Sequence, residues 1–473
     1  MRNLLLALRN LLRNRRRTLS TLLAIVVGTQ SILLFGGYSR GIIYGTQTEF
    51  VKRSGHLQIQ RKGYYLYGGG NPAAYGISDY QQIIDAVQHD PVLAPMLTVV
   101  TPTLQLGGIA GNFAAGVSRT VIGTGIDVDD QNKLQAWNDY GFPAINNGKP
   151  LSLTGTAPDA AVVGMGVARV LHLCRKLKVP DCKQEAPPDP APPPESANAA
   201  AAPADISDLA RGEPGEPAAN DSAARIEVLA ADTHGAPNVV SLSVVEAGNQ
   251  GIKELDDVFL MMHLEEAQRL IYGRSAPQVT GIVVQLQHTG QIAPARARLR
   301  ELLAASFPGQ ELDVLDFATI NPTYGQFISF FNAIFGFIAI LMGVIVLFTV
   351  SNTMNTSIVE RTVEIGTLRA IGMRRRGIQM LFIYEGLVLG ILGVVLGVMI
   401  TLLLAAVVNH SGLSYVPPGR VDQVLYFIWL SGKQNLLFIL GIAATLILLV
   451  MGSAWWPAHR AAKMEIVNAL RHV

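Results

Sequence analysis

The sequence predicts a membrane protein: four transmembrane α-helices, with a large α/β domain inserted between helices 1 and 2. Three observations predict it. Of 473 residues, 49% are hydrophobic and only 15% charged, with mean hydropathy +0.32, which is wrong for an ordinary soluble chain. The apolar residues fall into four runs, each long enough for the roughly 20 helical residues that span a bilayer core. Between the first and second run lie residues 44–324, whose composition is that of an ordinary globular domain. The net charge of +2, from 37 basic and 35 acidic residues, excludes a nucleic-acid binder, which needs a basic surplus on one face. Nine His and two Cys exclude a Cys-rich zinc or iron–sulfur framework and leave a His/carboxylate site open.

Residues 1–17 hold six Arg and no acid. They precede the first span, placed at 18–43, whose part from Thr18 to Ser39 contains no charge. A cleaved secretory signal is the alternative reading, but the run exceeds the usual 7–15 apolar residues and no Ala-x-Ala-like site follows it, so an uncleaved anchor is expected.

The segment 44–324 reads as a two-part α/β domain. LQIQ at 57–60, TVIGTGI at 120–126, VSLSVVE at 240–246 and TGIVVQL at 280–286 are β-rich and bounded by Gly, Pro or Asn. Helical stretches fall at Tyr80–Val87, Leu264–Tyr272 and Ala293–Ser306. An insertion at 185–220 carries nine Pro, seven acids against one Arg and no aromatic, so it is expected to be a disordered loop. It reads as a tolerated surface insertion or as a tether for an envelope partner. Just before it, Cys174 and Cys182 can close a small disulfide in an outward-facing domain, although spacing alone does not establish the Cα separation. With two thiols and only His172 nearby, a metal pair is disfavoured.

The second span is placed at 325–350, inside a charge-free stretch from Phe317 to Val359. The third, at 378–408, carries one acid, Glu385, and the fourth occupies 434–456. Five Arg against two Glu lie in the connection 351–377, and three Lys/Arg against one Glu in the tail 457–473, while the short loop 409–433 has only Arg420 and Lys433 with Asp422. Positive loops stay inside, so both termini and the connection 351–377 are expected in the cytoplasm and the α/β domain outside.

Within that connection, Ile358, Ile365 and Leu368 fall at helical spacing, with Glu360, Arg361, Glu364 and Arg369 around the remaining surface and Gly372 as a stop. An amphipathic helix at the inner membrane surface is expected. It reads either as a helix lying in the lipid interface or as a coupling helix whose apolar ridge enters a groove of a cytoplasmic partner. Glu385, two turns into the third span, reads as a structural interface residue snorkelling toward Arg374, Arg375 and Arg376. Gly386, Gly390, Gly393 and Gly397 form two GxxxG pairs, which suit close helix packing within the chain or dimerisation.

No P-loop occurs: Lys149 and Lys433 are the only Lys after Gly, and neither precedes Ser or Thr, so this chain is not expected to hydrolyse ATP. LSGKQ at Leu430–Gln434 mimics an ABC ATPase signature without its helical nucleotide-binding context. HExxH, GxSxG and dinucleotide fingerprints are absent.

Four segments together resemble the permeases of the MacB/FtsX/LolC–LolE class, the type VII or mechanotransmission ABC systems. They are LLLALRNLLRNRRRTLST, then ERTVEIGTLRAIGMRRRGI followed by YEGLVLGILGVVLG, then PAHRAAKMEIVNALR, and IKELDDVFLMMHLEEAQRLI at the end of the outer domain. SGHLQIQRKGYY is closest to the lipoprotein-release branch. The resemblance implies a MacB-like periplasmic core domain, a bacterial inner-membrane location and a dimer of this chain or a pairing with a sibling permease. It also implies a separate cytoplasmic ATPase dimer that holds ATP and Mg, so that this chain carries no cofactor and is not itself an enzyme. Glu360, Arg361, Glu364, Ile365, Gly366, Leu368, Arg369 and Gly372 would dock on that ATPase. Extraction or release of a lipoprotein or other lipophilic envelope cargo is the function it implies first. Efflux of a peptide or small molecule through a periplasmic adaptor, and signalling to a cell-wall hydrolase without transport, are the alternatives.

Overall fold

The computed structural model describes residues 15–142, 149–180, 182, 224–416, 424–430 and 432–463. The Arg-rich residues 1–14, the Pro/Ala-rich insertion 185–220, residues 417–423 of the loop 409–433, and the tail beyond 463 lie outside the described residues. The chain divides into a helix unit, drawn from residues 1–47, 321–415 and 423–473, and a sheet unit of residues 48–320 with 416–422.

The sheet unit is built on nine strands: β1 Leu57–Arg61, β2 Leu97–Asn112, β3 Val117–Ile126, β4 Ala160–Gly164, β5 Ala224–Ala231, β6 Pro237–Gly248, β7 Phe259–His263, β8 Gly281–Leu286 and β9 Leu312–Asp316. β5 shows why the sequence adopts this form: Ala224, Ile226, Val228 and Ala230 are buried while Arg225, Glu227, Leu229 and Ala231 face out, the two-residue period of a half-buried strand. The pairing order β3-β7-β4-β6-β5-β2, with β2 also paired to β3, closes a ring, which leaves those six strands without a free edge there. Leu106, Val121, Val163, Val228, Leu242 and Leu260 fill one core of this lobe.

The 16-residue strand β2 serves both lobes. Its second half, from Thr103 onward, pairs with β3, and residues Leu97–Thr103 pair with β8, which continues to β1 and β9. Helices α2 (Tyr80–His89) and α6 (Ile292–Ser306) cover this second sheet through Ile83, Val87, Ala295 and Leu299, forming a separate core. Between α2 and α6 in sequence lie α3 (Val128–Ala136), α4 (Met165–Val170) and α5 (Leu264–Tyr272). The two-part organisation comes from the length of β2, since either half alone would be an ordinary strand. Cys174 and Cys182 are disulfide-bonded, with Cα atoms 6.1 Å apart.

The helix unit contains α1 (Arg15–Ser54) as far as Gln47, α7 (Pro322–Glu360), α8 (Thr362–Ala370), α9 (Arg375–Ser411) and α10 (Lys433–Lys463). Four helices, Thr18–Ser54, Pro322–Glu360, Arg375–Ser411 and Gln434–Lys463, are long and apolar enough to cross a membrane. Each overruns the span placed on it by hydropathy. Hydropathy marks the hydrocarbon thickness, whereas backbone stops mark helix ends: α1 runs to Gly55 at φ +66°, α7 starts on Pro322, and α9 ends at Gly412 at φ +65°.

The GxxxG glycines of α9 are used inside the chain. A Cβ on Gly386 would stand 2.9 Å from Ala454 Cβ, and one on Gly390 would stand 3.3 Å from Val450 Cγ1, both on α10. On Gly393 it would stand 2.8 Å from Ile25 Cβ, and on Gly397 2.7 Å from Thr29 Cβ, both on α1. The first pair therefore seats α10 and the second seats α1, so the dimerisation reading loses these glycines. Without a hydrophobic drive between helices in lipid, such close approach is what packs them. At the other end of the unit Arg40 lies over the rings of Tyr44, Trp429 and Phe438, at 5.4, 5.6 and 4.9 Å, and donates to Asn435 Oδ1 at 3.1 Å.

Candidate functional site

The connection between α7 and α9 is two helical pieces meeting at Arg361, where a single amphipathic helix ending near Gly372 was expected. α7 carries the chain to Glu360, Arg361 alone leaves helical geometry (φ −104°, ψ 19°), and α8 follows at once. Gly372 takes φ +98° and ends this segment, a conformation an L side chain rarely adopts.

Burial redistributes the expected roles. Ile358 and Ile365, expected as part of an outward apolar ridge, are 5% and 3% exposed and pack with Ile378, Phe382, Ala458 and Ala461. They anchor the end of α7 and α8 to the bundle, and are not a docking edge. The outward apolar side chains are instead Val359, Val363 and Ile371, at 71%, 45% and 79% exposure. With the exposed Thr367 they recur every four residues, Val359 at the end of α7, Val363 and Thr367 on α8 and Ile371 just after it. Sequence reasoning missed them because the same segment carries two apolar stripes, and only packing shows which one the bundle takes. Glu360 is exposed, Glu364, Leu368 and Arg369 are half-buried, and Gly366 is buried.

Arg361, expected among the surface charges, is buried: its side chain donates from Nη1 to Glu385 Oε1 at 2.9 Å, with side-chain exposures of 9% and 3%. The expectation that Glu385 snorkels toward Arg374–Arg376 is thereby corrected. Those three Arg are exposed, and Glu385 sits on the face of α9 turned to the helix break, where Arg361 is nearer. Thr362, next along, donates its hydroxyl to Val359 O at 2.8 Å and so occupies a carbonyl at the break.

Among the described residues no group of three or more His, Cys, Asp or Glu could hold a metal ion. The LSGKQ segment is structural: Leu430 is 4% exposed, and Gly432, at φ +93°, immediately precedes α10, which begins at Lys433. The sheet unit has a cleft of about 580 Å³, with Tyr80, Asp127, Asp129, His263, Glu265 and Gln268 in its lining. His56 lies elsewhere in that unit and is fully buried. Leu286 N donates to its Nδ1 at 3.0 Å, so the neutral ring carries its proton on Nε2, 3.3 Å from Thr289 Oγ1. Burial first, and the neighbouring His288 second, lower its pKa to about 3.

Residues 333–466 match the FtsX-like permease C-terminal family. The chain is 30% identical over 237 residues to the macrolide export ATP-binding/permease protein MacB of Bdellovibrio bacteriovorus, a match covering 48% of this chain and 33% of that protein. It is 24% identical over 243 residues to the lipoprotein-releasing system transmembrane protein LolC of Neisseria meningitidis, covering 50% of this chain and 56% of that one. The chain thus spans about a third of the MacB relative and about half of the LolC relative. Among solved structures it is similar to the extracellular domain of the noncanonic ABC-type transporter YknZ from Gram-positive bacteria, with TM-score 0.27 and 13% identity, covering 56% of this chain and 100% of that one.

Proposed function

We propose that this chain, which carries an FtsX-like permease domain and has MacB and LolC permeases as homologues, is a permease subunit that couples a cytoplasmic ABC ATPase dimer to work done by its sheet unit outside the membrane. The observation that carries the reading is the connection between α7 and α9. Ile358 at the end of α7 and Ile365 on α8 pack into the bundle, while Val359 on α7, Val363 on α8 and Ile371 just after it face away from it. A solvent-facing apolar stripe rimmed by Glu360 and the Arg374–Arg376 run suits insertion into a groove of a charged protein partner. The chain is then a multi-pass inner-membrane protein with both termini inside, and ATP and Mg belong to the partner ATPase. Of the expected docking set, Glu360, Glu364, Leu368, Arg369 and Gly372 stay in this reading, the buried Arg361, Ile365 and Gly366 leave it, and the outward apolar side chains are added.

For cargo, release of a lipoprotein or other lipophilic envelope molecule follows the LolC homology, and SGHLQIQRKGYY after α1 leans the same way. The MacB homology supports a second reading, adaptor-dependent export of a small molecule or peptide. The test is co-purification from membranes in mild detergent. An ABC ATPase is expected to co-purify with the wild-type chain, and Val363→Glu with Ile371→Glu should reduce its recovery by on the order of tenfold or more without changing the amount of inserted chain. Undiminished recovery would sink the docking assignment. A co-purifying acylated protein supports the first cargo, and a periplasmic adaptor the second.

A further inference from the structure

Because α8 is joined to α7 by a single non-helical residue, something must fix the direction in which it leaves. The backbone turns at Arg361 (φ −104°, ψ 19°), whose N bonds Ser357 O and Ile358 O at 3.2 Å and whose O takes Ile365 N at 2.9 Å, while the Thr362 hydroxyl occupies Val359 O. A turn at one residue permits a range of directions. What holds the observed one is side-chain contact with α9 and α10: Ile365 against Ile378, Phe382, Ala458 and Ala461, and Arg361 against Glu385.

These two contacts do different things. The Ile365 contact is apolar and non-directional, and tolerates sliding or rotation of α8. The Arg361–Glu385 contact is a charge-assisted hydrogen bond between side chains 9% and 3% exposed, and its geometry holds only in one register. Desolvating two charges makes such a pair a poor source of net stability compared with apolar residues of the same volume, yet removing one partner strands the other. Its use at this place is therefore positional.

We propose that Arg361 and Glu385 are positioning residues forming a latch that locks α8 to α9, so that a displacement of α8 is delivered to the third spanning helix without slack. The latch rests on the reading of α8 as the ATPase-docking element for its purpose, but not for its test. Movement at the stripe Val359–Val363–Ile371 would reach α9 through a rigid joint at Glu385, about ten residues into that helix. With the pair broken, α8 stays attached through Ile365 and can still bind a partner, but swings.

The test is hydrogen–deuterium exchange of the full chain in lipid nanodiscs, without ATPase, comparing wild type, Glu385→Gln, Arg361→Gln and the swap Arg361→Glu with Glu385→Arg. Each single variant is expected to raise amide exchange over 362–370 by on the order of tenfold or more, leaving α10 and the rest of α9 unchanged, and the swap is expected to restore protection. Unchanged exchange over 362–370 would overturn the proposal. So would a rise spread evenly over all the spanning helices, because the pair would then hold the bundle and not the joint. Neither negative result bears on ATPase recovery with the Val363 and Ile371 substitutions, so the latch and the docking reading fail separately.

Discussion

Gly393→Leu is expected to cost about 3 kcal/mol or more of bundle stability, because the new side chain has no room against α1. Its Cβ alone would stand 2.6 Å from Ile25 Cγ2 and 2.8 Å from Ile25 Cβ, closer than real Cβ contacts come. Ile25 is 1% exposed and sits in the core with Val346, Val350, Leu389 and Val450, so it cannot swing aside without opening that core. The only relief is separation of α1 from α9, which also pulls Thr29 away from Gly397. The measurement is thermal stability and the monodisperse fraction of the detergent-purified chain, with Gly441→Leu as control. A Cβ on Gly441 meets nothing within 4 Å, and that variant is expected to behave as wild type. Equal behaviour of the two variants would refute the assignment of the second glycine pair to α1.

The second large effect is a pH dependence carried by His56. Its folded pKa, about 3, lies below the ordinary value of 6.5, so the native state binds protons less readily than the unfolded chain. The sign follows: the contribution is fully present above about pH 6.5 and declines as pH falls toward 3. At pH 4.5 the loss amounts to roughly 2–3 kcal/mol. Protonation would also put a hydrogen on Nδ1, where Leu286 N now donates, and so set two donors face to face on the strand β8. Asp90 acts in the same direction but lower. The hydrogen bonds from Arg298 hold its carboxyl below the usual carboxylate range, so its contribution is lost only at pH values under about 4. His56→Gln keeps an acceptor and cannot titrate in this range. Between pH 7 and 4.5 the melting temperature of the sheet unit within the full chain should therefore fall clearly in wild type and much less in His56→Gln. Parallel falls in both would place the acid sensitivity elsewhere.

How much of this was legible in the sequence depends on range. The four runs that became α1, α7, α9 and α10 are visible because about 20 consecutive apolar residues rarely occur outside a membrane span. The strands at 57–60, 120–126, 240–246 and 280–286 show in β-rich composition between turn residues. The 16-residue β2 was missed, because Pro102, Gly107 and Gly108 interrupt its pattern, although its pairings to β3, β5 and β8 make it the strand that joins both lobes. Partner choice across the sheet is set by contacts distant in sequence, which no local pattern records.

The helix connection shows the same division at the level of single residues. Composition and periodicity by themselves determined that residues 351–377 carry a short charged amphipathic helix stopped at Gly372, and that Glu385 is an acid inside an apolar run. Both follow from the chain's own chemistry: helical spacing fixes which residues share a face, and a lone carboxylate among aliphatics needs a partner. Only the tertiary structure decided which face turns inward and which cation answers the acid. Ile358 and Ile365 went to Phe382 and Ala458, which left Val359, Val363 and Ile371 outside, and Arg361 took the place expected of Arg374–Arg376. The physical reason is that two apolar stripes on one short helix, and four Arg within reach of one acid, are nearly equivalent until α9 and α10 pack beside them and bury one choice.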